Sequence, residues 1–350
     1  MNETHCESGQ QPLSGAIIGL GSMGLTHLAI LNSHPSVGKI SVVEFSTCFG
    51  KAVERNLGIE YYPSLEQLFQ LGCPDFLVVA TPTSSHYAIA KASIENGIPS
   101  FIEKPLSMST AESEALLRLA EAHDVVAQVG YVNRFNEIFQ AVQRLIQSGE
   151  LGRPTHALCE IRSPMVMKTT GSSWRSKHSE GGGCLTDIAT HGIDLLNYLV
   201  GPPTSVVGAS LQSLVSHGVE DRVDVLLAYE GCTGSLHVNW SDPSCRKPAY
   251  RISIDMEHGR ITADHHAYKI FRYTSGVHND ASAWRTVYIT DIAQPVRMYV
   301  RGNEYTRQLD YFIDSIVQHR KESISGLASA IEVDRVIEQI RHAGTRVRVQ

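Results

Sequence analysis

The stretch Ala16-Ile17-Ile18-Gly19-Leu20-Gly21-Ser22-Met23-Gly24-Leu25-Thr26-His27-Leu28-Ala29-Ile30-Leu31 decides the fold. Its apolar start reads as a buried strand and its end as a helix. Between them lies G-x-G-x-x-G. In a dinucleotide site Gly19 allows the tight turn, Gly21 admits the pyrophosphate, and Gly24 lets helix and strand pack closely. The positive end of the helix then faces the phosphates, with Ser22 and Met23 in its first turn.

A second strand, Lys39-Ile40-Ser41-Val42-Val43-Glu44, follows. Glu44 stands 20 residues after Gly24, where a carboxylate holds ribose hydroxyls. A carboxylate there repels a 2′-phosphate, and Phe45-Ser46-Thr47-Cys48 holds no arginine to offset it. NAD is therefore expected ahead of NADP, with Lys51 or Arg55 the only nearby cations that bear on the choice.

Strand and helix candidates continue to alternate. Helices are expected near Phe49–Leu57, Ser64–Leu71 and His86–Asn96, and a capping box at Ser109-Thr110-Ala111-Glu112 opens another, reaching His123. The intervening strands are Asp75–Ala80, Ile98–Ile102 and Val125–Gly130. This is the rhythm of a doubly wound parallel sheet. After a helix over Asn136–Gln147 the rhythm changes. Strands are expected over His156–Arg162, Ser205–Leu214, Arg222–Tyr229, Gly234–Trp240, Tyr250–Met256 and Arg260–Asp264, with short turns at Glu230-Gly231 and His258-Gly259. Helices near Glu304–Arg320 and Ala328–His342 close the chain. The expected class is α/β: a Rossmann domain over residues 12–133, then an α+β domain over 134–350 with a large, mostly antiparallel open sheet.

Two short stretches carry chemistry. Phe101-Ile102-Glu103-Lys104-Pro105 places Glu103 and Lys104 at the carboxyl end of a strand, where open α/β sheets bind ligands. A lysine there can stabilise a developing alkoxide, and the Lys104-Pro105 bond is a candidate for cis. Gly181-Gly182-Gly183-Cys184-Leu185-Thr186-Asp187-Ile188-Ala189-Thr190-His191 sets an acid and a base four residues apart after a flexible glycine run. On a helix they share a face, so Asp187 is expected to orient His191 as a base for a hydroxyl proton. No third ligand with suitable spacing accompanies them, so no metal is expected.

These pieces together resemble the Gfo/Idh/MocA oxidoreductase family, from about Ser14 to the last helix. The resemblance rests on Gly19–Gly24 with His27, Ala80-Thr81-Pro82-Thr83-Ser84-Ser85-His86, Glu103-Lys104-Pro105, Gly130-Tyr131-Val132-Asn133-Arg134-Phe135, Trp174-Arg175 and Gly181–Asp194. It implies Lys104, Asp187 and His191 as the catalytic set. Thr81, Pro82, His86, Glu103 and Lys104 join the cofactor residues, with a structural role at its helix start the safer reading of His86. Asn133, Arg134, Trp174 and Arg175 join Asp187 and His191 toward substrate, and Asp194 either touches substrate or anchors its helix. Thr83-Ser84-Ser85 departs from the asparagine many members carry after Thr-Pro.

The implied substrate is a sugar or cyclitol, a nucleotide sugar first. Asn239-Trp240-Ser241-Asp242-Pro243 with Arg246-Lys247 looks like members acting on surface sugars, and its cations are candidates for a substrate phosphate. A homodimer or homotetramer through the open face of the second sheet is also implied. A different class, an NAD-binding sensor or scaffold without chemistry, predicts a broken catalytic set, whereas this one is intact.

Composition agrees. The 350 residues suit two domains, and 42% hydrophobic residues suffice for real cores. A net charge of −6 gives nucleic acid no support. Seven cysteines without a C-x-x-C pair suit reduced thiols and a cytoplasmic protein. Met1–Gln10 has no signal-peptide core, and no apolar run is long enough to span a membrane. His265 and His266 read as exposed turn residues.

Overall fold

The computed structural model describes residues 11–166, 174–273, 284–321 and 323–348; Met1–Gln10 lie outside the described residues. Six strands form the first sheet: β1 (Leu13–Ile18), β2 (Val37–Val43), β3 (Glu60–Tyr62), β4 (Phe76–Val79), β5 (Ser100–Ile102) and β6 (Ala127–Val129). All run parallel in the order β3-β2-β1-β4-β5-β6. The central strands are covered on both faces. Ala16 and Ile17 of β1 and all four residues of β4 are wholly buried, which explains their unbroken apolar runs.

The connecting helices are α1 (Ser22–Leu31), α2 (Thr47–Leu57), α3 (Leu65–Leu71), α4 (His86–Glu95) and α5 (Thr110–His123). At α5 the expected cap forms, with Ser109 accepting from Glu112 N. The return bond from the Glu112 carboxylate falls on Met108 N instead of Ser109 N.

The second unit contains α6 (Glu137–Gln147), β7 (Pro154–Arg162), α7 (Thr190–Val200), β8 (Ser205–Ser213), β9 (Arg222–Tyr229), β10 (Cys232–Asn239), β11 (Ala249–Met256), β12 (Gly259–Ala263), β13 (Ala267–Arg272), β14 (Arg285–Tyr288), α8 (Ile289–Ile292), α9 (Asn303–Val317), α10 (Leu327–Ala343) and β15 (Gly344–Arg348). The nine strands form one sheet in the order β14-β13-β12-β11-β7-β10-β9-β8-β15. Two pairs are parallel, β7 with β10 and β15 with β8, and the rest are antiparallel.

Four strands are additions to the sequence reading: β3, β13, β14 and β15. All but β13 are short, three to five residues. β3, β14 and β15 sit at or beside a sheet edge, where one face or one flank needs no apolar residue. β15 pairs with a strand some 130 residues earlier, which no local pattern announces.

α7 lies directly on the second sheet. A Cβ at Gly192 would come within 2.7 Å of Leu236 and 3.0 Å of Ile161, so the helix approaches the strands through this glycine. α9 crosses back to the first sheet: Phe312 meets Phe76 and Phe101 edge-on at 6.0 and 5.8 Å, and Leu309 and Ile313 fill the same core. The two units are thus locked by apolar packing as well as by the chain crossing at Val132–Phe135. Among the described residues no helix is long and apolar enough to cross a membrane.

Candidate active site

The order of the first sheet reverses between β1 and β4, and ligands bind beyond the carboxyl ends of strands at such a point. The Gly19–Gly24 loop leaves β1 there, Thr81–Ser85 leaves β4, and Glu103-Lys104-Pro105 leaves β5.

The glycine loop is shaped by contact distances. Gly19 has φ +90°, and a Cβ on Gly24 would lie 1.9 Å from the Gly19 carbonyl oxygen. Gly21 differs, since a Cβ there would meet nothing within 4 Å. That open ground at the N-terminus of α1 is what an approaching pyrophosphate requires, so these residues fit a dinucleotide. Glu44 closes the loop from the side, accepting from Leu20 N and Ser46 N at 2.9 Å each. Its carboxylate is thereby fixed at the end of β2, the position suited to ribose hydroxyls and hostile to a 2′-phosphate.

Two of the expected cofactor residues turn inward. The Glu103 carboxylate bonds His27 Nε2 at 2.7 Å and is buried. The His86 ring nitrogens each face a carbonyl, Pro105 O and Thr81 O, both at 2.9 Å. Burial lowers the His86 pKa, and a neutral ring donates to only one of them. Its ring has no nitrogen left for a cofactor, and it ties the Thr81–Pro82 loop to the Lys104-Pro105 turn, whose peptide bond is cis. Thr81 Oγ1 accepts from Ser85 Oγ at 2.7 Å.

The reactive cluster joins three segments. Lys104 Nζ donates to Asp187 Oδ1 at 2.8 Å and to the Asp187 carbonyl at 2.6 Å. Arg175 Nε donates to Asp187 Oδ2 at 2.8 Å, and the Arg175 guanidinium stacks on Trp174 at 4.6 Å. Burial alone would raise the Asp187 pKa, but Lys104 and Arg175 outweigh it and hold the carboxyl well below its ordinary range.

The expected Asp187–His191 hydrogen bond is not formed. The backbone from Leu185 to Ala189 takes a wider π-helical turn, and two cations hold the carboxylate. A charge-assisted bond to Lys or Arg outcompetes one to a neutral imidazole. His191 Nδ1 is buried with no partner, and the His191 pKa is pushed down first by burial and then by the Lys104 charge. His191 is therefore a neutral imidazole at pH 7.

The glycine run before Asp187, expected to be flexible, is closely packed. A Cβ on Gly181 would sit 2.6 Å from Thr83 Cβ, on Gly182 2.3 Å from the Arg175 carbonyl oxygen, and on Gly183 2.4 Å from the Glu220 carboxylate. The run lets the second unit close onto the Thr81–Ser85 loop, and Glu220 fastens the next turn through Leu185 N at 2.8 Å.

Asn133 lies on the His191 side of this cluster. Its Oδ1 contacts His265 Nε2 at 3.0 Å, and its Nδ2 is buried without a partner. Tyr250 packs edge-on to His265 at 4.6 Å and to His191 at 6.5 Å. Burial lowers the His265 pKa to about 4. His265 is thus part of the wall near His191 and not an exposed turn residue; only His266 is exposed. Neither Tyr250 nor His265 belongs to a motif, and only their tertiary position marks them.

Arg134 goes elsewhere. It pairs with buried Asp194 at 2.7 Å and donates to the Ile324 carbonyl, so the two anchor the crossing to α7 rather than join Lys104, Asp187 and His191. Trp240 is core, donating to Asp221 Oδ1 at 2.9 Å, while Arg246 and Lys247 lie on an exposed loop.

A reversal-point glycine loop, an acidic ribose position and a lysine–carboxylate–imidazole cluster define a nicotinamide-dependent oxidoreductase. The chain belongs to the Gfo/Idh/MocA family: residues 13–131 match the oxidoreductase family, NAD-binding Rossmann fold, and residues 139–262 match the GFO/IDH/MocA C-terminal domain. Its cofactor is NAD. It is similar to scyllo-inositol 2-dehydrogenase (NAD(+)) of Bacillus subtilis, 31% identical over 58% of this chain and 56% of that one. Identity to a putative UDP-kanosamine synthase oxidoreductase subunit of Amycolatopsis mediterranei is 28%, over 84% of this chain and 86% of the other. For UDP-N-acetylglucosamine 3-dehydrogenase of Acidithiobacillus ferrooxidans it is 23%, over 92% and 96%. The fold is that of levoglucosan dehydrogenase, solved with NADH and levoglucosan, at TM-score 0.84 and 22% identity over 95% of this chain and 97% of that one.

Proposed function

We propose that this chain is an NAD-dependent dehydrogenase that takes hydride from the carbon bearing a secondary hydroxyl of a sugar, a nucleotide sugar first, with Lys104, Asp187 and His191 as the catalytic groups. The carrying observation is Lys104 Nζ held on Asp187 beside a neutral, half-buried His191. NAD, when bound, supplies the hydride acceptor.

The side chains do the rest. An ammonium has three N–H donors. Two of those on Lys104 are used by Asp187, which leaves one for the reacting oxygen, where it offsets the growing alkoxide charge. His191, neutral and not hydrogen-bonded to Asp187, takes the hydroxyl proton. Asp187 acts through Lys104: it fixes the ammonium and, with Arg175 on its other oxygen, balances two cations at one place.

Support for a nucleotide sugar comes from coverage. The two UDP-sugar relatives align with 84% and 92% of this chain, whereas the scyllo-inositol enzyme aligns with 58%. The higher identity of that enzyme favours a cyclitol as the second reading. Reduced-nicotinamide absorbance after mixing the protein and NAD with UDP-sugars, free sugars and inositols separates them. Turnover of UDP-sugars alone is expected. Turnover confined to inositols overturns the nucleotide-sugar assignment, and silence across the panel with NAD bound points to a substrate outside these classes, a cofactor recycled in place, or a sensor.

A further inference from the structure

We propose that Arg301 is a cofactor-binding residue: a cation, delivered to the glycine loop from the far end of the chain, for the pyrophosphate of NAD. The proposal rests on the NAD site and is independent of the substrate reading.

The segment between α8 and α9 runs along α1 and is held at two places. At the C-terminal end of α1, Arg297 donates to Ile30 O at 2.8 Å and Ser33 Oγ at 2.6 Å, and it is paired with Asp310 at 2.6 Å. Met298 adds contacts to Ser33 Oγ and, through its carbonyl, to Thr306 Oγ1. Four residues on, at the N-terminal end of α1, Arg301 Nε donates to Thr26 Oγ1 at 2.9 Å and Nη2 donates to Ser22 Oγ.

The two arginines are used differently. Arg297 satisfies the negative end of the helix and has its own carboxylate, which is the arrangement of a staple. Arg301 sits at the positive end of α1, where a cation meets an unfavourable helix dipole. Among the described residues it forms no ion pair, its two partners are neutral hydroxyls, and the side chain is exposed. Such a placement costs free energy unless an anion arrives. The anion has its place: Ser22 follows Gly21, whose Cα faces open space, and α1 has no charged residue in its first turn. A bound pyrophosphate brings two negative charges to this point, while the loop itself offers N–H groups and the Ser22 hydroxyl but no cation. Arg301 retains Nη1 and geometry suited to bidentate phosphate contacts.

The test is binding, with no turnover needed. Dissociation constants for NADH (by its fluorescence) and for ADP-ribose (by calorimetry) are measured on the full chain, with the melting temperature alongside. Arg301→Ala is expected to weaken both ligands roughly 10- to 100-fold, the worth of a charged hydrogen bond, and to flatten the salt dependence of binding. Arg301→Lys restores part of the loss, and the melting temperature stays within about a degree, as for an ordinary surface substitution. Arg297→Ala gives the opposite pattern, a lower melting temperature with little change in affinity. Unchanged affinity in Arg301→Ala overturns the proposal. So does a loss of affinity that follows a fall in melting temperature and is not recovered by lysine, because Arg301 would then be a second staple.

Discussion

The glycine loop and the Lys104–Asp187 cluster stand over the same edge of the first sheet, yet they are made of different material. The loop works through backbone: Gly19 turns, Gly24 packs, and Gly21 leaves space, all within six residues. The cluster works through side chains contributed from β5, from the Trp174–Ser176 turn and from the π turn before α7. A backbone device is written where it is used. A side-chain device is assembled only by folding, so its members can be recognised before their partners can.

Asp187 makes the point. Its spacing to His191 suggests a partner four residues away, but the carboxylate is held by Lys104, 83 residues earlier, and by Arg175, 12 residues earlier. Their surroundings then set the two apart electrically: Lys104 and Arg175 keep Asp187 ionised against its burial, while burial and the Lys104 charge keep His191 neutral.

The contrast can be broken or sharpened by substitution. His191→Asn is expected to give the largest effect, a loss in kcat of roughly 10³- to 10⁴-fold, the upper range for general acid–base catalysis. NADH binding by fluorescence should stay within about twofold, since His191 makes no contact with the glycine loop. An equal loss in both would mean that the two regions are not separable. Gly24→Ala attacks the other region. With a Cβ 1.9 Å from the Gly19 carbonyl, the loop must shift, and NADH affinity should fall on the order of 100-fold, with a lower melting temperature of the kind that overpacking causes. Retained affinity would show that the loop tolerates the shift.

Arg175→Ala should be milder, roughly a tenfold loss in kcat, in line with one charged hydrogen bond. Lys104 still holds Asp187 in that variant, and Arg175→Lys recovers little because the Trp174 stacking is lost.

The smallest effect concerns pH. His191 acts as the neutral ring and its pKa lies below the ordinary 6.5, so kcat/KM should stay level through pH 6.5 and fall only in more acid solution. A fall centred at or above 6.5 contradicts the burial assigned to this ring. The same sign governs stability. In the unfolded chain His191 binds a proton near pH 6.5 while the folded ring resists it, so the folded state loses ground as pH drops below 6.5. His34, His86 and His265, also lowered by burial, add to that trend, and the melting temperature should fall from pH 7 to pH 5.

Much of the first domain was legible because its strands are buried on both faces and its turns carry glycine, proline or a capping serine. The second sheet was legible where strands alternate, as in β9 and β10. It was not where short strands lie at edges or, like β15, pair with a distant partner. The site followed the same division. Position in the sequence singles out Lys104, Asp187, His191 and Glu44, and folding sets Lys104 on Asp187 and Glu44 beside the glycine loop. Position alone could not distinguish the inward-facing Glu103, His86 and Arg134 from cleft residues, because only burial and buried partners separate the two. Tyr250, His265 and Arg301 belong to no motif, and folding alone brings them to the site.

The most direct test of the account is a double-mutant cycle on kcat, using the substrate class that turns over. Lys104→Met and Asp187→Asn are made singly and together, and Asp187→Asn is also combined with His191→Asn. If Asp187 acts by holding Lys104, the Lys104–Asp187 double variant should be about as slow as the worse single variant, while Asp187→Asn and His191→Asn should combine nearly additively. The reverse pattern, Asp187 coupled to His191 and additive with Lys104, would contradict the assignment.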